Sequence, residues 1–240
     1  MKNLKIWILA ILFSLSVTVV SIGGGYVAFI GLNQIQNIIK SIEEVSIKPS
    51  YDYLKSVTVR IHQYADEGTF VGTGTIVDIT SEYTYILTNK HVAPIENSDR
   101  IFVVDEEKQE HKAEVLSNSD FVDLSLIRIN TKLNAKIKIK GISKVKESDK
   151  IYSVGMYLAN YYIYTEGTFA GYDAYTNMIG NLPGAGGCSG SGVFNRHGKL
   201  VGVIFAGNYI SMFQVETSKL LIIDIWDVER FLFKNRGVIK

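Results

Sequence analysis

Residues 186–195 read GGCSGSGVFN, a run of small residues that leads into the apolar pair Val193 and Phe194. Glycine lets a backbone fold tightly around a central side chain and can turn N–H groups toward an incoming carbonyl. The run therefore suits a nucleophilic serine in a turn before a β-strand. Turns rich in glycine and serine are common, however, so this stretch needs support from elsewhere in the chain.

Two upstream segments give that support. Residues 87–92 read LTNKHV and residues 123–127 read DLSLI, so a histidine ends one apolar segment and an aspartate begins another. A serine hydroxyl needs a base within hydrogen-bond reach, and the base needs an acid that holds its tautomer. His91, Asp123 and Ser189 are thus the candidate base, acid and nucleophile, in that order.

The order and local contexts of these three residues resemble the trypsin/chymotrypsin-like serine proteases. The resemblance is closest to two bacterial branches without disulfides, the Deg/HtrA type and the glutamyl-endopeptidase type. It covers roughly residues 55–225 and includes the segments GTGTIV at 72–77 and LVGVIFAG at 200–207. The serine motif departs from the family pattern where Gly192 replaces the usual proline, and Cys188 fills its variable position.

The resemblance implies an all-β fold of two six-stranded antiparallel barrels with the reaction in the cleft between them. It implies an oxyanion hole made by the amides of Gly187 and Ser189, and peptide hydrolysis through an acyl-enzyme intermediate. It also places Phe205, Ala206 and Gly207 on the strand that lines the substrate pocket. No carboxylate stands in residues 182–185 or 205–207, which argues against a preference for basic side chains and favours apolar or small ones.

Some residues compete with the candidates. Asp120 is an alternative acid, but only Asp123 directly precedes the apolar strand. Ser191 is an alternative serine, but its neighbours fit a later position of the motif. Cys188 is an alternative nucleophile, yet it lies one residue early, and we expect its side chain to point away from substrate. The other histidines are expected at the surface or in turns: His62, His111 and His197.

Composition excludes several other functions. The chain has 240 residues, 25 basic and 24 acidic, and a net charge of +1, so no electrostatic case exists for nucleic-acid binding. Its single cysteine excludes an internal disulfide and makes a thiolate-rich metal site implausible. No metal or other cofactor is expected, and the expected partner is a protein or peptide substrate.

The N-terminus predicts a membrane anchor. No charged residue occurs between Lys5 and Lys40, and residues 6–30 are overwhelmingly apolar. Twenty-five helical residues at about 1.5 Å each span a hydrocarbon core of about 30 Å. We expect a single-pass signal anchor over residues 1–32 with a cytoplasmic N-terminus and the remaining domain extracytoplasmic. The alternative is a cleaved signal peptide that releases a secreted protein.

The rest of the chain divides into a linker and one domain. Residues 33–50 are expected to form a linker with a short amphipathic helix, because Ile35, Ile38, Ile39 and Ile42 follow helical spacing. Residues 51–240 form the expected protease domain, without a PDZ module. Its parts are a first barrel over 54–132, a second barrel over 142–223 and a C-terminal helix over 224–235, with Asp224 as its N-cap or first-turn acid.

Alternating or apolar runs between turn residues predict the strands. The clearest lie at residues 56–61, 83–88, 100–104, 124–129, 136–140, 151–154, 161–165, 193–195, 200–206 and 211–215. The leading hypothesis is a membrane-anchored serine endopeptidase with a His-Asp-Ser triad. The alternatives are a catalytically silent scaffold with the same fold and a membrane-tethered adaptor that assembles through the linker helix.

Overall fold

The structure is a computed structural model that describes residue 36 and residues 48–135, 144–158, 160–207 and 219–239. The chain separates into two compact units, Met1–Ile47 and Lys48–Lys240, and the second unit holds every element discussed below. The predicted anchor at 6–30, the linker helix and the strands at 136–140 and 211–215 lie outside the described residues. Among the described residues, no helix combines the length and apolar character needed to cross a membrane.

Twelve strands and two α-helices make up the described domain. Helix α1 (Tyr51–Ser56) precedes the strands, helix α2 (Ile225–Lys234) follows them, and a short 3-10 helix (Ile95–Arg100) precedes β4. The strands are β1 (Thr58–Ala65), β2 (Gly68–Ile79), β3 (Thr84–Thr88), β4 (Ile101–Val104), β5 (Glu110–Asn118), β6 (Ser125–Ile129), β7 (Lys150–Tyr157), β8 (Tyr161–Tyr172), β9 (Met178–Asn181), β10 (Gly192–Asn195), β11 (Leu200–Gly207) and β12 (Leu220–Asp224).

The strands form two closed antiparallel barrels of six strands each, as predicted. The first has the order β1-β2-β3-β6-β5-β4 and closes where β4 pairs with β1. The second has the order β10-β11-β12-β9-β8-β7 and closes where β7 pairs with β10. Closure leaves neither barrel with an unpaired edge strand, which suits a fold without disulfide support.

Each barrel has its own apolar core, and a third cluster joins the two. Inward residues such as Ile61, Ile86 and Ile127 fill the first barrel, and Ile151, Val201 and Ile222 fill the second. The third cluster combines side chains from both barrels with Leu54 of α1 and residues of α2. This shared core fixes the barrels against each other, and that fixed arrangement positions the cleft.

The sequence predicted helix α2 but not helix α1. Asp224 caps α2 by accepting a hydrogen bond from the Trp226 amide at 2.8 Å, as predicted. The prediction of a strand from Ser56 was wrong at its start, because α1 runs to Ser56 and β1 begins at Thr58. A cap from Ser50 and the burial of Leu54 stabilise this short helix, which has too few residues for a visible period.

Candidate active site

His91 stands in a tight turn directly after β3. The carbonyl of Asn89 accepts hydrogen bonds from the amides of Val92 and Ala93, at 3.2 and 3.0 Å, which bends the chain at this point. The side-chain amide of the buried Asn89 donates to the backbone carbonyl of Asp123 at 2.8 Å. Asn89 therefore ties the histidine turn to Asp123, two residues before β6, a role that no sequence motif indicated.

Asp123 holds His91 through both carboxylate oxygens. Oδ2 lies 2.5 Å from His91 Nδ1, and Oδ1 accepts from the His91 amide at 3.0 Å. This contact fixes the ring orientation and, with the proton on Nδ1, leaves Nε2 as the basic nitrogen. The side chain of His91 is half exposed.

Asp120 lies in a different environment. Its carboxylate is 70% exposed and pairs with Lys234 of α2 at 3.1 Å. The structure therefore places Asp123, and not Asp120, against the histidine.

Ser189 lies in the loop between β9 and β10, where the glycines two residues before it and one residue after it have left-handed backbones. Gly187 has φ +98° and Gly190 has φ +89°, conformations that residues with a Cβ rarely adopt. The amides of Gly187 and Ser189 donate to no acceptor among the described residues. Both predicted oxyanion donors are thus available to a ligand.

His91 and Ser189 face a common cleft of about 400 Å³. The structure records no hydrogen bond between the Ser189 hydroxyl and His91, and contacts of this kind often tighten only when substrate binds. The cleft is lined by Gln63, Phe70, Val71, Gly72, His91, Val92, Gly186, Gly187 and Ser189. It therefore collects the predicted base, nucleophile and oxyanion glycine, which lie up to 98 residues apart in the chain.

The predicted pocket residues Phe205, Ala206 and Gly207 end strand β11, where each is partly buried, but none lines this cleft. The described wall comes instead from the β1–β2 hairpin, with Phe70 57% exposed. No sequence motif predicted Gln63, Phe70 or Val71 as cleft residues. The glycine-rich segment at 72–77 was the available signal that this hairpin approaches the site.

Cys188 and Ser191 turn away from the cleft. The Cys188 thiol is buried in the second barrel and donates to the Met156 carbonyl at 3.3 Å, as expected for a side chain that points away from substrate. Burial raises the pKa of this thiol, which disfavours the reactive thiolate. Ser191 is fully buried, and its hydroxyl lies against the backbone of Gly155.

The remaining histidines have structural partners. His62 lies in β1 and pairs with Glu110, and His111 lies in β5 and pairs with Asp105; both were expected at the surface or in turns, and both are partly buried strand residues. His197 lies in the exposed turn after β10. Across the described parts of the chain, no group of three or more His, Cys, Asp and Glu side chains is arranged to hold a metal ion.

Comparison with known proteins agrees with this geometry. The family model for the trypsin-like peptidase domain matches residues 72–203, more than half of the chain. No curated protein matches it in sequence.

Solved structures share the fold at low sequence identity. The HtrA-type protease AlgW with a tripeptide has a TM-score of 0.64 at 19% identity, covering 78% of this chain and 64% of AlgW. A serine endoprotease from Yersinia pestis has a TM-score of 0.60 at 20% identity, covering 79% of this chain and 67% of the other. An inactive mutant of Rv3671c from Mycobacterium tuberculosis has a TM-score of 0.61 at 15% identity, covering 75% of this chain and 87% of the other.

The chain spans less than two thirds of the length of AlgW. The family match covers most strands of both barrels, from within β2 through the histidine turn to the serine loop and into β11. The chain belongs to the trypsin-like peptidase family.

Proposed function

We propose that the protein is a membrane-anchored serine endopeptidase whose catalytic groups are His91, Asp123 and Ser189. One observation carries the assignment. A histidine clamped by both oxygens of an aspartate shares a cleft with a serine beside two unbonded backbone amides. A catalytically silent scaffold would have no need for this combination.

The first half of the reaction forms an acyl-enzyme. The Ser189 Oγ attacks the scissile carbonyl carbon while His91 Nε2 accepts its proton. The amides of Gly187 and Ser189 donate hydrogen bonds to the oxyanion that develops on the carbonyl oxygen. Asp123 stabilises the imidazolium, which then gives its proton to the leaving amine as the peptide bond breaks.

The second half releases the acyl group. A water molecule gives a proton to His91 Nε2 and attacks the ester carbonyl, and the same two amides bind the new oxyanion. When this intermediate collapses, the proton returns to Ser189 Oγ and the carboxylic acid product leaves. No cofactor is needed for any step.

The substrate class follows from the cleft lining. Phe70, Val71 and Val92 give an apolar surface, and Gln63 is the longest polar side chain in the lining. Among the residues that the structure describes, no carboxylate, lysine or arginine lines the cleft. We therefore propose peptide substrates with apolar or small side chains near the scissile bond.

The paired substitutions Ser189→Ala and Cys188→Ser test the catalytic assignment on the full chain. Loss of the nucleophile should lower peptide hydrolysis by about 10⁴-fold or more. Cys188→Ser should keep most of the activity, because that thiol faces the second barrel. Loss of activity in Cys188→Ser with retention in Ser189→Ala would move the nucleophile to the cysteine and refute the proposal.

The apolar residues 6–30 support the membrane part of the proposal, with the protease domain outside the cytoplasm. Full-length protein should remain in the membrane fraction after an alkaline carbonate wash. A periplasm- or exterior-dependent reporter fused after Lys240 should be active. A soluble product that begins near Gly24 would show instead that the segment is a cleaved signal peptide.

A further inference from the structure

Thr73 of strand β2 makes several hydrogen bonds around the loop that carries Ser189, and no sequence motif predicted them. This threonine is fully buried. Its amide donates to the Ser189 carbonyl at 2.8 Å, and its hydroxyl donates to the Gly187 carbonyl at 2.7 Å. The same hydroxyl accepts from the Met156 amide at 2.9 Å, and the Thr73 carbonyl accepts from the Thr88 hydroxyl at 2.7 Å.

These bonds act on the two peptide units that flank the Ser189 amide. The unit that contains the Gly187 carbonyl precedes it, and the unit that contains the Ser189 carbonyl follows it. Two hydrogen bonds hold the first of these units: its Gly187 carbonyl accepts from the Thr73 hydroxyl, and its Cys188 amide donates to the Ala185 carbonyl at 3.2 Å. The unit that contains the Ser189 amide is held through its Cys188 carbonyl, which accepts from the Ser191 amide at 3.0 Å, and Thr73 restrains the units on both sides of it.

The hydroxyl also connects this loop to the rest of the cleft. Met156 belongs to β7, and its carbonyl accepts the hydrogen bond from Cys188, the residue between Gly187 and Ser189. Thr88 ends β3, three residues before His91. Thr73 therefore contacts the strand that leads to the base, the loop of the nucleophile and a strand of the second barrel at once.

We propose that Thr73 is a positioning residue that sets the direction of the oxyanion-hole amides from the opposite barrel. It does not touch the reacting atoms, and its effect passes through the carbonyls of Gly187 and Ser189. This inference rests on the proposed function, since it assumes that Ser189 is the nucleophile. Its consequence is that loss of one buried hydroxyl should slow the chemical step without weakening substrate binding.

The test compares Thr73→Val with Thr73→Ser and a matched control. Valine keeps the shape of threonine but leaves the Gly187 carbonyl and the Met156 amide without the hydroxyl. Serine retains the hydroxyl. Thr84→Val is the control, because the Thr84 hydroxyl also donates to a carbonyl, Thr131 at 2.7 Å, and accepts from an amide, Leu133 at 3.0 Å.

Thr73→Val should lower kcat by about 10- to 100-fold. This effect is larger than expected for the loss of one ordinary hydrogen bond and smaller than expected for the loss of an oxyanion-hole donor. KM should stay within about 2-fold of the wild-type value, because Thr73 does not contact the substrate in its ground state. The rate of labelling by a fluorophosphonate should fall in parallel with kcat. Thr73→Ser should recover kcat to within about 3-fold of wild type, a rescue that a hydrogen bond explains.

Both valine variants bury the same kinds of unpaired groups, so denaturant unfolding should show similar losses of stability. Equal effects of Thr73→Val and Thr84→Val on kcat would overturn the proposal and leave Thr73 with a structural role only. Failure of Thr73→Ser to restore kcat would overturn it as well. Wild-type protein that neither hydrolyses peptides nor reacts with the probe would instead contradict the proposed function itself.

Discussion

Gly190→Ala tests whether the serine loop lies against the first barrel as the structure has it. A Cβ at this position would stand 1.8 Å from the Thr73 carbonyl oxygen and 2.4 Å from the Thr88 hydroxyl. Carbon and carbonyl oxygen normally stay about 3.3 Å apart, so the loop must retreat by about 1.5 Å. Neither contact can yield easily, because the nearest atom is backbone and the hydroxyl is buried.

The displacement of the loop should lower stability by weakening two backbone hydrogen bonds. It stretches the bonds from the Thr73 amide to the Ser189 carbonyl and from the Gly190 amide to the Ile204 carbonyl, both 2.8 Å long. Each net hydrogen bond contributes about 1 kcal/mol, and a Cβ at φ +89° adds about 1–2 kcal/mol of strain. We expect a loss of about 3–4 kcal/mol in the free energy of unfolding by urea.

Catalysis should suffer as well, because Ser189 directly precedes Gly190. A displacement of about 1 Å at a reacting group costs about 10²-fold in rate, so kcat/KM should fall by at least that factor.

Two control variants separate the cost of backbone strain from the cost of steric overlap. Gly68→Ala has φ +141° with open space around the new Cβ, and isolates backbone strain of about 1–3 kcal/mol. Gly186→Ala has open space and no positive φ, and should change stability by less than about 1 kcal/mol. If Gly190→Ala matched Gly186→Ala in stability and kept wild-type kcat/KM, the packing of this loop on Thr73 would be refuted.

Three further predictions concern single side chains. Asp123→Asn should lower kcat by about 10⁴-fold, because it leaves His91 in the wrong tautomer, and should change the free energy of unfolding by less than about 1 kcal/mol. A wild-type kcat in this variant would contradict the role of Asp123 in holding His91. Iodoacetamide should modify Cys188 slowly at pH 8 in the native protein and rapidly in urea, because burial raises the pKa of the thiol; fast native labelling, followed by mass spectrometry, would contradict its burial. The Asp105 carboxyl is partly desolvated, which opposes ionisation, but hydrogen bonds from His111 and the Gln109 amide outweigh this and lower its pKa. The resulting stabilisation should be present above about pH 4, the usual pKa of an unfolded aspartate, and disappear as pH falls through the lower folded value. The stability difference between wild type and Asp105→Asn, measured by denaturation from pH 2 to 7, should therefore shrink in acid, whereas Asp66→Asn, at an 87% exposed carboxylate, should show a small difference throughout.

Local patterns in the sequence were sufficient for much of the fold. Alternating and apolar runs located strands such as β3, β6 and β11, and Asp224 marked the start of α2. The short helix α1 carried no such pattern, because six residues complete fewer than two turns. Strand β5 was also missed: its residues Glu110, Lys112 and Glu114 are exposed, and its buried positions include the small Ala113.

The site was predictable only where a motif marks it. Motifs predicted His91, Asp123 and Ser189, and in the fold His91 and Ser189 line one cleft while Asp123 lies against His91. Phe70 and Thr73 approach the serine loop from more than 110 positions away in sequence, through packing between the barrels. No local spacing encodes such contacts, so they required the three-dimensional structure.

Reaction with a fluorophosphonate probe, mapped to a residue by mass spectrometry, tests the central assignment most directly. The probe phosphonylates a serine only when a base activates the hydroxyl, so reactivity reports the assembled site and not the mere presence of serine. The assignment predicts one label per chain, on Ser189, lost in Ser189→Ala and strongly reduced in His91→Ala. A folded protein that takes no label, or one labelled at another residue such as Ser191, would contradict it.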